Sequence, residues 1–135
     1  MVFLTRKESF NAAHRLYNKN WSDEKNFEVF GKCANKNWHG HNYHLFVTIK
    51  GEPDPDTGFI IDAKKLSDLI KREVVDRFDH KNLNEDTDFF NDDQPSTENF
   101  CKVIWKLIEP KISNGVLFSI KLQETENIYA EYYGD

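Results

Sequence analysis

Apolar side chains occupy every second position from Tyr43 through Leu45 and Val47 to Ile49, with His44, Phe46 and Thr48 between them. Side chains on a strand alternate between faces, so this pattern predicts a β-strand with one buried face. His39-Gly40-His41 stands at the head of the run. By the same alternation His39 and His41 project to one side, about 7 Å apart at Cα, close enough for two imidazoles to share one metal ion. His44 points to the opposite face and is excluded. His14 lies in the preceding apolar run and shares parity with Phe10 and Ala12. Three histidines are an accepted ligand set for catalytic zinc, which keeps a fourth position open. The spacing therefore predicts a Zn2+ site made of His14, His39 and His41.

The rest of the chain divides into a few elements. Val2 to about Ala13 reads as a first strand whose imperfect alternation predicts a bulge. Asn18 to Trp38 reads as a long polar loop holding Ser22-Asp23-Glu24 and Cys33. The stretch from Gly51 to Gly58 is dense in turn residues. Asp62 is a suitable N-cap for a helix running to about Phe78, with Leu66, Leu69, Ile70, Val74 and Phe78 as its apolar stripe. Pro95-Ser96-Thr97-Glu98 carries a capping hydroxyl and a first-turn acid, which predicts a second helix. Its stripe is Phe100, Val103, Ile104, Leu107 and Ile108, and Pro110 marks its end. Val116, Phe118, Ile120 and Leu122 alternate as a third strand, and a hairpin around Thr125-Glu126-Asn127 leads to a fourth, Ile128 to Tyr132. The order β-β-α-α-β-β predicts one α+β domain over residues 1–135, with two helices on one face of a four-stranded antiparallel sheet. The second and third strands show little edge protection, which predicts that the sheet closes its edges by oligomerisation.

Composition narrows the partners. The chain has 18 basic and 23 acidic residues, a formal net charge of -5, and no basic patch, which argues against nucleic acid. Its apolar runs are far shorter than a membrane span, and the N-terminal residues contain no long apolar core. The two cysteines, Cys33 and Cys101, fall in different contexts, so no disulfide scaffold is expected and a reducing cytoplasm fits.

Three further features carry chemistry. Cys33, in a polar loop after Phe30-Gly31-Lys32, is a candidate base or nucleophile, or alternatively a fourth zinc ligand that would close the site. Cys101 sits beside Phe100 in the second helix and reads as packing. Asp79-His80 follows a predicted helix directly. It is either an ordinary histidine near a helix C-terminus or a carboxylate–imidazole proton relay. Glu124, at the end of the third strand, is either solvated or placed to accept two parallel N–H bonds from a guanidine-like ring edge.

Together these residues resemble the 6-pyruvoyl-tetrahydropterin synthase family, nearly end to end. The resemblance runs through Phe10-Asn11-Ala12-Ala13-His14-Arg15-Leu16, Phe30-Gly31-Lys32-Cys33 and His39-Gly40-His41-Asn42-Tyr43. It continues through the Gly51–Gly58 turn and Asp79-His80-Lys81-Asn82-Leu83, and ends with Ser96-Thr97-Glu98-Asn99 and Glu124-Thr125. It implies the tunnelling fold, in which trimers form a twelve-stranded barrel, two trimers stack as a hexamer, and active sites lie between subunits. It further implies that His14, His39 and His41 hold zinc, that Cys33 is the catalytic thiolate, and that Asp79 with His80 forms the relay beside it. Glu124 would anchor the pterin ring, with Thr97 and Glu98 lining its pocket. The implied substrate is 7,8-dihydroneopterin triphosphate, which loses triphosphate while the ring gains the reducing equivalents that the side chain gives up.

The same family contains 6-carboxy-tetrahydropterin synthase, the queuosine-pathway enzyme, which cleaves the side chain of that substrate and releases acetaldehyde. Three residues typically separate its cysteine from His-Gly-His. Five separate Cys33 from His39, which resembles the pyruvoyl-forming branch. The family loop often has Pro or Gly before the first histidine of the pair, whereas this chain has Asn35-Lys36-Asn37-Trp38. A third alternative is a non-catalytic, zinc-stabilised binding module with Cys33 as a permanent ligand.

Overall fold

A computed structural model describes residues 1–135. The long alternating run becomes β2 (His39–Gly51), which pairs antiparallel with β1 (Val2–His14). Their register is unbroken, from Val2 opposite Gly51 to His14 opposite His39. The bulge predicted in the first strand is therefore absent. The sheet's irregularities fall elsewhere, between Thr48 and Ile49 where β2 meets β4 (Val116–Thr125), and between Gln123 and Thr125 where β4 meets the last strand. Alternation in the first strand is imperfect for another reason. Its inward positions Arg6 and Glu8 form an ion pair instead of carrying apolar side chains.

β4 turns into β5 (Ile128–Tyr132), as the hairpin signal predicted. A further strand, β3 (Lys81–Asn82), runs parallel to β1 beside Ala12 and Ala13. The sheet is thus five-stranded and mixed, in the order β3-β1-β2-β4-β5, and not four-stranded and antiparallel. Two residues are too few to show a period, which is why the extra strand left no sequence signal. The order also corrects the assignment of edges. The two strands read as poorly protected, β2 and β4, are interior. The edges are β5 on one side and, on the other, β3 with the part of β1 that β3 does not cover.

The Asn18–Trp38 stretch is not a loop throughout. It contains α1 (Asp23–Phe30), whose N-cap Ser22 accepts a hydrogen bond from the Lys25 amide, and a 3₁₀ turn over Gly31–Ala34. Asn26 is the one buried residue of α1, so no apolar stripe announced the helix. Asp62 caps α2 (Ala63–Ile70) as expected. The helix then widens through a π turn, Lys71–Val75, and finishes as α3 (Asp76–Phe78). Ser96 caps α4 (Thr97–Ile108), and Pro110 lies in the 3₁₀ turn that follows.

Both predicted apolar stripes meet one face of the sheet. Leu66, Ile70, Val74 and Phe78 join Phe100, Ile104 and Ile108 over Tyr43, Leu45, Val47, Ile49, Ile120 and Leu122 in a single core. Phe100 is its hub, packing edge-on against Phe10, Tyr43, Phe78 and Phe90 with ring centroids 4.9–5.8 Å apart. Burying each such ring contributes about 1.5–3 kcal/mol. His39 and His41 share the inward face with Tyr43, and His14 shares it with Phe10 and Ala12. The histidine cluster is therefore the polar end of the core stripe.

Candidate metal and catalytic site

Strand pairing brings the three histidines together. His14 lies directly opposite His39, and His41 lies opposite Ala12, two positions from His14. Their ring centroids are 4.5 Å (His14–His39), 5.0 Å (His14–His41) and 4.8 Å (His39–His41) apart. One nitrogen from each ring falls within 4.8 Å of the others, as a shared metal ion requires.

The tautomer of His14 is fixed from outside. Its Nδ1–H donates to the Pro95 carbonyl at 2.7 Å, just ahead of α4. The hydrogen bond to one ring nitrogen determines which nitrogen can bind metal, so Nε2 is the free ligand atom. His14 Nε2 and His41 Nε2 are both buried and lack a hydrogen-bond partner. Such nitrogens lose water without compensation unless something binds them. A divalent cation accepting three imidazoles resolves that deficit, so the donor set fits zinc.

β4 adds a carboxylate. The register that sets His44 opposite Gln123 carries Glu124 alongside the histidine pair. Its Oε1 lies 3.2 Å from His14 Nε2 and 3.3 Å from His41 Nε2, and satisfies neither nitrogen with a hydrogen bond. The polar contact with His14 holds the Glu124 carboxyl below the usual carboxylate range, although burial opposes this. The charges of His41 and His14 and the nearby hydroxyl of buried Thr97 act in the same direction. Burial is also the main influence on His39 and His41, and it lowers both. Neighbouring imidazoles add to that effect and Glu124 opposes it. Lowered values favour neutral imidazole, the form that binds metal.

Cys33, Asp79 and His80 are not part of this cluster. Cys33 is half-buried in the 3₁₀ turn, and its carbonyl accepts from the Leu16 amide at 2.8 Å, which ties that turn to the end of β1. Asp79 and His80 grip β1 from outside. Asp79 Oδ1 accepts from the Asn11 amide at 2.9 Å, and the His80 amide donates to the Asn11 carbonyl at 2.6 Å. The two side chains pair at 2.8 Å, and the imidazole is 81% exposed. His80 has a left-handed backbone, φ 61, of the kind that marks functional positions more often than chance. Glu98 is exposed in the first turn of α4.

Two residues escaped the sequence reading. The Tyr43 hydroxyl is buried without a partner, and its ring packs on His41 and His14. Parity with His41 was the available signal. Trp38 has φ 60 and a buried, unpartnered indole N–H next to His39 in the chain. Glycine enters that conformation freely and tryptophan does not.

A family model described as 6-pyruvoyl tetrahydropterin synthase matches residues 3–135. The human 6-pyruvoyl tetrahydrobiopterin synthase is 42% identical over 98% of this chain and 91% of its own. The solved structure of Caenorhabditis elegans 6-pyruvoyl tetrahydropterin synthase superposes with a TM-score of 0.93 at 38% identity, covering 99% of this chain and 96% of that one. A 6-carboxy-5,6,7,8-tetrahydropterin synthase from Rickettsia conorii is 27% identical over 97% of this chain and 99% of its own.

Proposed function

This chain belongs to the 6-pyruvoyl tetrahydropterin synthase family, and we propose from that premise that it is the lyase that eliminates triphosphate from 7,8-dihydroneopterin triphosphate. The observation that carries the reading is the convergence of His14, His39 and His41 beside Glu124, in a chain that matches the family from end to end.

His14, His39 and His41 hold Zn2+, supported by their mutual spacing and by the two orphaned Nε2 atoms. When bound, the zinc supplies Lewis acidity toward the substrate's side-chain hydroxyls. Glu124 accepts two N–H bonds from the pterin ring, and its depressed pKa keeps it an acceptor. Thr97, whose hydroxyl helps to hold the Glu124 carboxyl low, and Glu98 line the same pocket. Cys33 removes a proton from the side chain as thiolate, and the Asp79–His80 pair takes up and returns protons beside it.

The place of Asp79–His80 at the edge of the sheet, where it covers Asn11 of β1 and leaves the imidazole exposed, supports its serving a site shared with a neighbouring subunit. The chain accordingly assembles as a homohexamer, a dimer of trimers. No helix is long and apolar enough to cross a membrane. Both cysteines are free, in keeping with a cytoplasmic, reducing location.

Incubation with 7,8-dihydroneopterin triphosphate, followed by mass analysis, tests the reaction. The expected products are the 6-pyruvoyl pterin and triphosphate. A carboxylated pterin with acetaldehyde would assign the queuosine-pathway reaction instead. Cys33→Ala separates enzyme from module: zinc retained with turnover abolished supports the catalytic thiol, and zinc lost makes the sulfur structural.

A further inference from the structure

A hollow of about 390 Å³ opens beside the 3₁₀ turn that carries Cys33. Lys32 and Ala34, the residues on either side of Cys33, both line it, as do Arg15 and Lys36. Three cations thus face one space in a chain of net charge -5. None of the three lies within ion-pair distance of a carboxylate. The one acid on the wall, Asp23, accepts from the Tyr17 hydroxyl.

Arg15 is held in place from several sides. Asn84 clamps its main chain, accepting from the Arg15 amide and donating to the Arg15 carbonyl, each at 2.9 Å. The guanidinium Nε donates to the Ala34 carbonyl at 2.9 Å. Its Cζ lies 4.0 Å from the centroid of the Tyr17 ring and 5.8 Å from that of Trp38. Nε is the one nitrogen of the fork bonded to protein, so the two terminal nitrogens are left for a ligand. A guanidinium fixed in this way loses little freedom when it takes an oxyanion, and its planar fork matches two phosphoryl oxygens. Arg15 also follows His14 directly, which sets the hollow beside the end of β1 that carries a histidine of the cluster.

We propose that this hollow holds the triphosphate of the substrate, with Arg15 as the fixed receptor and Lys32 and Lys36 as mobile charges around it. The proposal rests on the reading of Cys33 as the base for 7,8-dihydroneopterin triphosphate, since the triphosphate is carried on the same short side chain from which that thiolate takes a proton. The leaving triphosphate departs with the electron pair of its carbon–oxygen bond. Charge on the anion therefore grows as that bond breaks, and the three cations stabilise the departing group more than the bound one. No bond to the protein forms.

Inorganic triphosphate is the probe, titrated by calorimetry into zinc-loaded wild type, Arg15→Lys, Arg15→Gln and the double variant Lys32→Gln/Lys36→Gln. 7,8-Dihydroneopterin, which has the ring and side chain but no phosphate, is titrated into the same proteins. Triphosphate affinity should fall at least tenfold in Arg15→Gln and in the double variant, and by less in Arg15→Lys, which keeps the charge and loses the fork. Dihydroneopterin affinity should stay within twofold of wild type in the double variant, whose two lysines are exposed. Inorganic triphosphate should inhibit competitively against the substrate, because both would fill the hollow. A double variant that binds triphosphate as tightly as wild type would overturn the site. Equal weakening of triphosphate and dihydroneopterin would overturn it too, as a general disturbance, and non-competitive inhibition would do so by marking a polyphosphate site apart from the substrate's. The calorimetry needs no turnover. Triphosphate binding as expected with the substrate left unchanged would defeat the proposed reaction and keep the anion site, whereas turnover with an unchanged KM in Arg15→Gln and the double variant would defeat the site and keep the reaction.

Discussion

His14 and Pro95, 81 positions apart in the chain, are joined by a single hydrogen bond from an imidazole Nδ1–H to a backbone carbonyl. That carbonyl sits in a turn held by α4, where Ser96 Oγ accepts from the Asn99 amide at 3.2 Å and Asn99 Nδ2 donates to the Gln94 carbonyl at 3.0 Å. The orientation of a metal ligand thus depends on a helix cap. Ser96→Ala should cost about 1 kcal/mol of stability. It should also lower zinc affinity about tenfold by loosening the carbonyl. Thermal melting and chelator competition measure the two effects; a stability loss with unchanged zinc affinity would uncouple cap from ligand.

Tyr43 should be more stable as phenylalanine. Its hydroxyl is buried with no partner, and burial has pushed its pKa above the ordinary phenol value. Removing a buried, unsatisfied polar group relieves a desolvation cost. Tyr43→Phe is expected to gain about 1 kcal/mol. Urea unfolding should show a higher midpoint with an unchanged slope, and a lower midpoint would mean that the hydroxyl is satisfied in solution.

Phe100 carries the opposite expectation. Its ring meets Phe10, Tyr43, Phe78 and Phe90 at full burial. Phe100→Ala should cost about 3–5 kcal/mol. Because Tyr43 packs on both Phe100 and the histidines, the metal content of the purified variant should fall as well.

The Asp79 pKa is held below its ordinary 3.8 by the Asn11 amide first and by His80 second. A carboxyl depressed in the folded state binds fewer protons there than in the unfolded chain. Its contribution is therefore complete well above pH 3.8 and shrinks as pH falls through the folded-state value. Asp79→Asn should be less stable than wild type at pH 7 and indistinguishable from it near the bottom of the acid limb. Urea midpoints taken across the acid range provide the check, and a constant difference at every pH would contradict this account.

Strand parity made the histidine site legible, because a strand's period is two and His14, His39 and His41 keep phase with Phe10, Ala12 and Tyr43. Adjacency made Asp79–His80 legible in the same way. The approach of Glu124 to two of the histidines was not legible, since it depends on which strand lies beside β2 and in what register. Ser22-Asp23-Glu24 was read as part of a polar loop, because Asn26 is the one buried residue in the helix that follows it. Without an apolar stripe α1 left no periodic signal. The two-residue β3 could not have been read at all. Trp38 hid its strain because positive φ leaves no mark on residue type outside glycine and asparagine.

The π turn at Lys71–Val75 fits one more residue into a turn than an α-helix does. Each residue of a helix advances the chain's azimuth by about 100°. Shortening this segment by one residue would restore ordinary winding and rotate everything beyond it by about that angle. The Asp79 carboxylate would then no longer meet the Asn11 amide. The aim of the acid–imidazole pair is thus set by a count of residues, and a deletion among side chains that touch no ligand would be enough to misdirect it.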